Sequence, residues 1–259
     1  IPASVVNIDN SAFTDCSELE SINVSADNEV YSSIEGVLYN KDQSILLNVP
    51  HKVKSLVIPH TCTISEIDVL NTNFPYVESF NSGGLVGELS ATPFQGHSNI
   101  KTVVLGPGVT KLNMEAFRMS SLENITMSEG LQIIDPRPFD YCGQLKSITI
   151  PSSVVDVNVS DYGFGGGLNS LESFVVAEGN SIYDSRDNCN AFIETDTNTL
   201  LVGFPISTIP DSIVTIGYGA FEANGCGIHM VIPESVTSIR PYAFYNCSTL
   251  EEIVLPTNL

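Results

Sequence analysis

Apolar residues return along this chain with a long period. Ile209-Pro210-Asp211-Ser212-Ile213-Val214-Thr215-Ile216-Gly217, then Ala220-Phe221, recurs as Ile232-Pro233-Glu234-Ser235-Val236-Thr237-Ser238-Ile239, then Ala243-Phe244. Leu255-Pro256-Thr257 opens the pattern again, so Pro210, Pro233 and Pro256 lie 23 residues apart. At the other end Ile1-Pro2-Ala3-Ser4-Val5-Val6-Asn7-Ile8, then Ala12-Phe13, is the same unit. In the looser middle Phe94, Phe117 and Phe139 step by 23 and 22. A second signature follows the phenylalanine: Leu19, Ile22, Val24; Ile100, Val103, Leu105; Leu122, Ile125, Met127; Leu145, Ile148, Ile150; Leu250, Ile253, Leu255. About eight units result, at 1–24, 58–82, 83–105, 106–127, 128–150, 151–176, 209–231 and 232–255, those at 58–82 and 151–176 being degenerate.

The motif Leu-x-x-Ile-x-Ile ends in two alternating apolar positions, the inward face of a short strand. A unit of about 23 residues with one such strand cannot close a core alone. Stacked units pair their strands into a parallel sheet and bury Leu, Ile and Phe as ladders. Proline after the strand cannot donate to the ladder and turns the chain. A helical or 3₁₀ turn at Ala-Phe would then push Phe inward. The pattern predicts an α/β repeat solenoid of the leucine-rich-repeat type, one domain over 1–259. Phe13, Phe117, Phe139, Phe221 and Phe244 should stack in one buried column.

Two insertions break the period, at about 25–57 and 177–208. Each has apolar runs around a polar Asn/Asp turn, a β-hairpin signal. Tyr31 matches Tyr183 and Ser33 matches Ser185, as in an old duplication.

The consensus Ile-Pro-x-Ser-Val-Thr-x-Ile-Gly-x-x-Ala-Phe-x-x-Cys-x-x-Leu-x-x-Ile resembles the BspA-like leucine-rich repeat. Positions 209–221 and 232–253 match almost residue for residue, 1–24 matches well, and 58–105 and 151–176 depart. The insertions resemble the family's longer, hairpin-bearing repeats. The resemblance implies a bacterial cell-surface or secreted protein that adheres to host extracellular proteins.

Composition narrows the rest. The 259 residues carry 30 acidic and 10 basic side chains, a net charge of −20. Such a body repels phosphate backbones, which excludes nucleic acid as a partner and disfavours anionic membranes. No apolar run approaches the ~20 residues of a membrane span. Apolar residues at 42 % suffice for a sizeable core, and charged residues, at 15 %, fall below the ordinary ~25 %. The chain opens without Met and in mid-consensus, and it closes on an unfinished unit. It therefore reads as a trimmed product or a piece of a longer surface protein, or one whose end rungs meet end to end with a second copy.

Candidate chemistry is sparse. Cys16, Cys142 and Cys247 share a slot three residues after Phe, filled by His97, Ser120 and Asn224 elsewhere. That mixture points to a polar cap on a turn with unpaired thiols, since those units lie far apart. Cys62 takes an inward Val position, Cys226 lies two residues past its slot, and Cys189 sits in the second insertion. No C-x-x-C pair supports zinc, and the four histidines are scattered. Gly163-Phe164-Gly165-Gly166-Gly167 has the look of a phosphate loop but lacks a Lys and a following helix. Asp184, Asp187, Asn188 and Asn190 suggest either calcium or turn-forming polar residues, without the closing Glu of an EF-hand. Four N-x-S/T sequons, at Asn23, Asn124, Asn158 and Asn246, are short enough to arise by chance. No catalytic constellation, cofactor site or metal site is expected.

Residues between the inward positions point outward as columns. Ser21, Asn124, Ser147, Ser173 and Glu252 form one; Asn23, Thr126, Thr149, Val175 and Val254 form the next. These columns are either a solvated β-surface or a binding face for a protein or glycan. The expected function is non-enzymatic binding of a protein ligand, a host extracellular-matrix protein in the adhesion reading. A structural spacer or an accessory glycan-binding protein are the alternatives. The expected location is extracellular or attached to the cell surface.

Overall fold

The computed structural model describes residues 1–9, 11–62, 75–89, 94–159, 163–222, 226–257 and 259. The predicted strand is present in the regular units after the first, as β5 (Ser79–Asn81), β7 (Thr102–Leu105), β9 (Asn124–Met127), β11 (Ser147–Ile150), β13 (Ser173–Val176), β18 (His229–Val231) and β20 (Glu252–Val254), and the end of the first insertion adds β4 (Ser55–Val57) to the same sheet as β5. The first unit is the exception: Ile22 is buried there, but 19–24 is not in a strand. Pairing is parallel and in repeat register, Ser55 to Ser79 to Thr102 to Asn124, Ser147 to Ser173, and His229 to Glu252.

The units carry a second strand that the apolar pattern did not separate. Val109–Leu112 (β8), Ile133–Ile134 (β10) and Asp156–Val157 (β12) form a second parallel sheet with Gly87–Leu89 (β6). Thr215–Ile216 (β17) and Ser238–Ile239 (β19) repeat it in the C-terminal units. These are the Val-Thr-x-Ile segments. Their β-branched residues suit a pleated surface, and their inward residues are three apart, which hides the period of two.

The turn expected at Ala-Phe is present, but no helix grows from it. Among the described residues the sole helical element is a 3₁₀ turn at Arg186–Asn188, so the leucine-rich-repeat stack is a β-solenoid. Local bonds close the turns, such as Cys142 N to Phe139 O at 2.9 Å and Ser120 N to Phe117 O at 3.1 Å. Alternate donors leave the turn sideways. Glu115, Phe117 and Met119 N–H bond to Pro136, Pro138 and Asp140 carbonyls of the next rung at 3.2, 2.8 and 2.7 Å. Glu115 and Met119 take left-handed φ of 59° and 57° to aim them. Donors spent between rungs cannot close the i→i−4 bonds of an α-helix.

The insertions at 25–57 and 177–208 are built alike. The first is an antiparallel meander of β1 (Tyr31–Ile34), β2 (Val37–Asn40) and β3 (Leu46–Asn48). The second, β14 (Tyr183–Asp184), β15 (Phe192–Glu194) and β16 (Thr199–Val202), continues into β17 and β19. The Tyr and Ser equivalences hold in detail. Tyr31 Oη accepts from Ile8 N at 2.8 Å and Tyr183 Oη from Val157 N at 3.3 Å. Ser33 Oγ accepts from Val24 N at 3.1 Å and Ser185 Oγ from Val176 N at 2.9 Å. Asn28 and Asn180 are a third such pair. Each donates its amide to two carbonyls of the preceding rung and accepts two backbone N–H groups with its oxygen.

Phe117, Phe139 and Phe221 are fully buried, whereas Phe13 and Phe244 are only half-buried. The single column becomes two ladders. Phe80, Phe94, Phe117 and Phe139 follow one another at 4.9, 5.3 and 6.0 Å between ring centroids, and Phe221 stacks on Phe244 at 5.3 Å. Between them Phe164, Phe174, Phe192 and Phe204 cluster around the second insertion. Phe139→Ala should cost ~3–5 kcal/mol in chemical denaturation, because its site is closed on all sides. Phe244→Ala should cost less, because its side chain retains solvent contact.

Carboxylates also tie one rung to the next. Glu129 accepts from Ser152 N, Ser152 Oγ and Ser153 N at 3.1, 3.0 and 2.9 Å, and Glu234 accepts from Thr257 N and Oγ1 at 3.0 and 2.8 Å. The backbone N–H of the facing residue, followed by further bonds from Ser152 and Ser153, holds the Glu129 carboxyl below its ordinary pKa. A carboxyl lowered in the folded state stabilises fully above its unfolded pKa, and that stability is lost as pH falls through the folded value. Glu129→Gln should therefore lower the urea midpoint at pH 7. The exposed site limits the cost to under ~1 kcal/mol, and the difference from wild type should vanish only once the pH has fallen through the lowered folded-state pKa of Glu129.

Candidate functional site

The outward columns exist, in three pieces. Asn124, Thr126, Ser147 and Thr149 are exposed and Ser173 is half-buried, with Ser147 facing Ser173 and Thr149 facing Val175 across β11 and β13. Upstream the same columns continue through Thr102 and Val104, which face Asn124 and Thr126. Glu252 and Val254 lie beyond the second insertion, opposite His229 and Val231, and His229 Nδ1 is 3.3 Å from the Glu252 carboxylate. Ser21 and Asn23 are exposed but belong to no strand, because the turn of the first insertion packs there, Ile22 N donating to Gly36 O at 2.8 Å. An insertion is a local event in sequence, and only its packing shows which columns it interrupts.

Charge on this side alternates from rung to rung. Glu78 bridges Lys54 and Lys101 at 3.3 Å each, and their neighbours in register are Glu123, Lys146 and Glu172. The strand face is thus small and hydroxylated, beside a column of alternating charge.

The cysteine slot is a cap, as its mixed occupancy predicts. Cys142 Sγ donates to Phe117 O at 2.9 Å and lies 3.5 Å from Ser120 Oγ, and burial pushes its pKa up to about 11. His97 Nδ1 accepts from Ile100 N at 3.1 Å. Cys16 is exposed, and Asn224 lies outside the described residues. Asp184 is engaged by Arg186 and by Thr195 Oγ1, while Asp187, Asn188 and Asn190 take left-handed φ of 60°, 53° and 52°, the geometry of turn residues. The glycine run is a close backbone approach. A Cβ on Gly165, at φ +106°, would stand 2.4 Å from Asp140 Cα, and Gly166 N donates to Asp140 Oδ1 at 2.9 Å. Gly165→Ala should lower the thermal midpoint by several degrees, since strain and overlap act together.

The turn side carries the larger chemistry. Tyr141, Tyr218, Tyr242 and Tyr245 are 60 %, 45 %, 56 % and 56 % exposed. Tyr242 meets Tyr218 at 5.4 Å and Tyr245 at 5.6 Å, both edge-to-face. Met114 and Met119 are exposed on the adjoining rung. Two concavities lie among these rings. One, of about 620 Å³, is lined by Asp135, Asp156, Asn158, Leu201, Tyr218 and Arg240. The other, of about 280 Å³, lies over the glycine run between Tyr141 and Tyr245, with Arg118 and Arg137 on its wall. Arg118 is fixed by Asp140 at 3.2 Å and Arg137 by Glu115 at 3.2 Å. The signal in sequence was the residue two after Phe, Met119 and Tyr141, but its exposure depends on the handedness of the turn.

Parallel strands in single-residue register, inward Leu/Ile ladders and a phenylalanine column define a leucine-rich-repeat solenoid. The family model described as "BspA type Leucine rich repeat region" matches residues 1–58, 70–192 and 203–259 in six copies, and the chain belongs to that family. Solved bacterial structures share the fold. The pneumococcal vaccine antigen PcpA superposes with a TM-score of 0.55 at 17 % identity, over 92 % of this chain and 72 % of that one. A leucine-rich repeat protein from Bacteroides ovatus gives 0.54 at 17 %, over 100 % of this chain and 72 % of that one. One from Eubacterium ventriosum gives 0.52 at 19 %, over 79 % of this chain; the match spans only 60 % of that protein's length. No curated protein matches the chain. Among the described residues no helix is long and apolar enough to cross a membrane.

Proposed function

We propose that this chain is a non-enzymatic binding module of a bacterial surface or secreted protein, adhering to a host extracellular protein. The observation that carries the reading is the tyrosine-rich turn side. Protein interfaces are enriched in Tyr, Met and Arg and depleted in Lys and Glu, and their hot spots sit where such side chains fill concavities. Tyr141, Tyr218, Tyr242, Tyr245, Met114, Met119 and Arg240 have that composition, whereas the strand face is hydroxylated and its charges alternate in sign from rung to rung. The contact surface of this reading is therefore the turn side rather than the strand columns. A glycan ligand is the second reading. The cleft of about 620 Å³ sets the Tyr218 ring beside carboxylates, an amide and a guanidinium, groups that suit sugar hydroxyls.

The test compares Tyr218→Ala/Tyr242→Ala/Tyr245→Ala with Thr126→Ala/Thr149→Ala against a panel of extracellular-matrix proteins and a glycan array. The tyrosine variant should lose at least tenfold in affinity, ~1.4 kcal/mol, and the threonine variant should bind as wild type. The reverse pattern would return the site to the strand face. Binding to glycans alone would select the second reading. Absence of any ligand would leave a spacer.

A further inference from the structure

The slot after the repeat phenylalanine stacks from rung to rung. In the middle of the solenoid Ser120 meets Cys142, whose thiol donates to the Phe117 carbonyl of the preceding rung. In the C-terminal units the slot cysteine, Cys247, keeps the carbonyl bond but meets a sulfur from two residues past the preceding slot. Cys247 Sγ donates to Phe221 O at 3.5 Å, and its side chain meets the thiol of Cys226. Their backbones are locked in adjacent rungs, Thr249 Oγ1 donating to Cys226 O at 2.8 Å and β18 pairing in parallel with β20. Both thiols belong to one apolar cluster, Cys226 being 2 % exposed and Cys247 partly buried. The other cysteines have different surroundings. Cys16 is exposed, Cys62 lies beside Tyr39, Cys142 meets Ser120, and Cys189 points to Ala191 O at 3.8 Å.

We propose that Cys226 and Cys247 are a cross-linking site, closing to a disulfide that staples two adjacent rungs when the folded protein meets an external disulfide. Cys226 stands in register with Thr249, two residues from Cys247, so closure uses the contact already present between the two side chains across adjacent rungs rather than a directly facing pair. Slot spacing alone predicts an unpaired Cys247, because Cys16 and Cys142 are distant. Its partner is the off-slot Cys226, which the repeat register alone does not align with it.

The chemistry is two successive exchanges with a small-molecule disulfide such as oxidised glutathione. One protein thiolate attacks the external S–S bond, forming a mixed disulfide and releasing one glutathione thiol. The second protein thiolate attacks the protein sulfur of that mixed disulfide and releases the other. Two electrons and the two thiol protons pass to the two glutathione molecules. Burial holds both thiols above the ordinary cysteine pKa, so the reaction should quicken as pH rises. The staple has a structural use. Phe244, Leu250 and Ile253 are only partly buried, so packing alone grips this rung less firmly than the middle ones.

The experiment incubates the folded chain with oxidised glutathione, alkylates the remaining thiols and maps peptides without reduction. The six thiols of the reduced chain should fall by two, with one cross-linked species joining the peptides that hold Cys226 and Cys247. Cys226→Ser should retain all of its thiols or stop at a single glutathione adduct, whereas Cys16→Ser should cross-link as wild type. Hydrogen exchange across 242–254 should slow severalfold on oxidation. Retention of all six thiols, a cross-link between any other pair, or equal loss of two thiols in Cys226→Ser would overturn the proposal. Mapping of the unaltered chain decides it even if a serine variant folds poorly. The outcome is independent of which ligand the protein binds.

Discussion

Each regular side chain in this protein sits on its own counterpart one rung away, at the ~4.8 Å spacing of paired strands. That stacking governs what each position tolerates. Apolar residues stack into ladders, and the phenylalanines at 5–6 Å are such a ladder. Like charges at that spacing repel, so a charged column must alternate in sign, as Lys54, Glu78 and Lys101 do. With 30 acidic and only 10 basic side chains, few columns can alternate. Uncharged hydroxyl residues fill the others, which accounts for the low charged content and the bland strand face together.

The turn side escapes this rule by a different use of backbone. Left-handed residues at Glu115, Met119, Arg137 and Tyr141 send alternate N–H groups to the next rung. Hydrogen bonding is satisfied sideways, and side chains at those positions stand out of the stack. Large residues are tolerated there because their neighbours do not confine them. Where the rung is narrowed to glycine at 163–167, the space above it becomes a concavity.

A solenoid built in this way offers two kinds of surface. One is a regular sheet whose groups already satisfy one another; the other is an irregular flank of tyrosines around two concavities. The flank supports the binding reading because exposed aromatic rings there flank two concavities. The second insertion shapes it, since its strands lie between the N-terminal and C-terminal rungs that line the larger cleft.

The repeat period, the strand at Leu-x-x-Ile-x-Ile, the buried ladders, the paired insertions and the family resemblance were all legible in the residues. They depend on local spacing, and a period of about 23 recurs too often to be accidental. Several features were not legible. The Val-Thr-x-Ile strand hides because its inward residues are three apart. The absence of helix follows from where turn donors go, which no single unit reveals. The alternation along each strand does not reveal where the insertions interrupt the outward columns. The tyrosine flank and the Cys226–Cys247 contact required three dimensions, because both join residues whose meeting depends on turn handedness and on how adjacent rungs are offset. Sequence by itself determined what must be inside, since burial follows from pattern. Tertiary structure decided which outward residues meet, since that follows from the path of the chain between rungs.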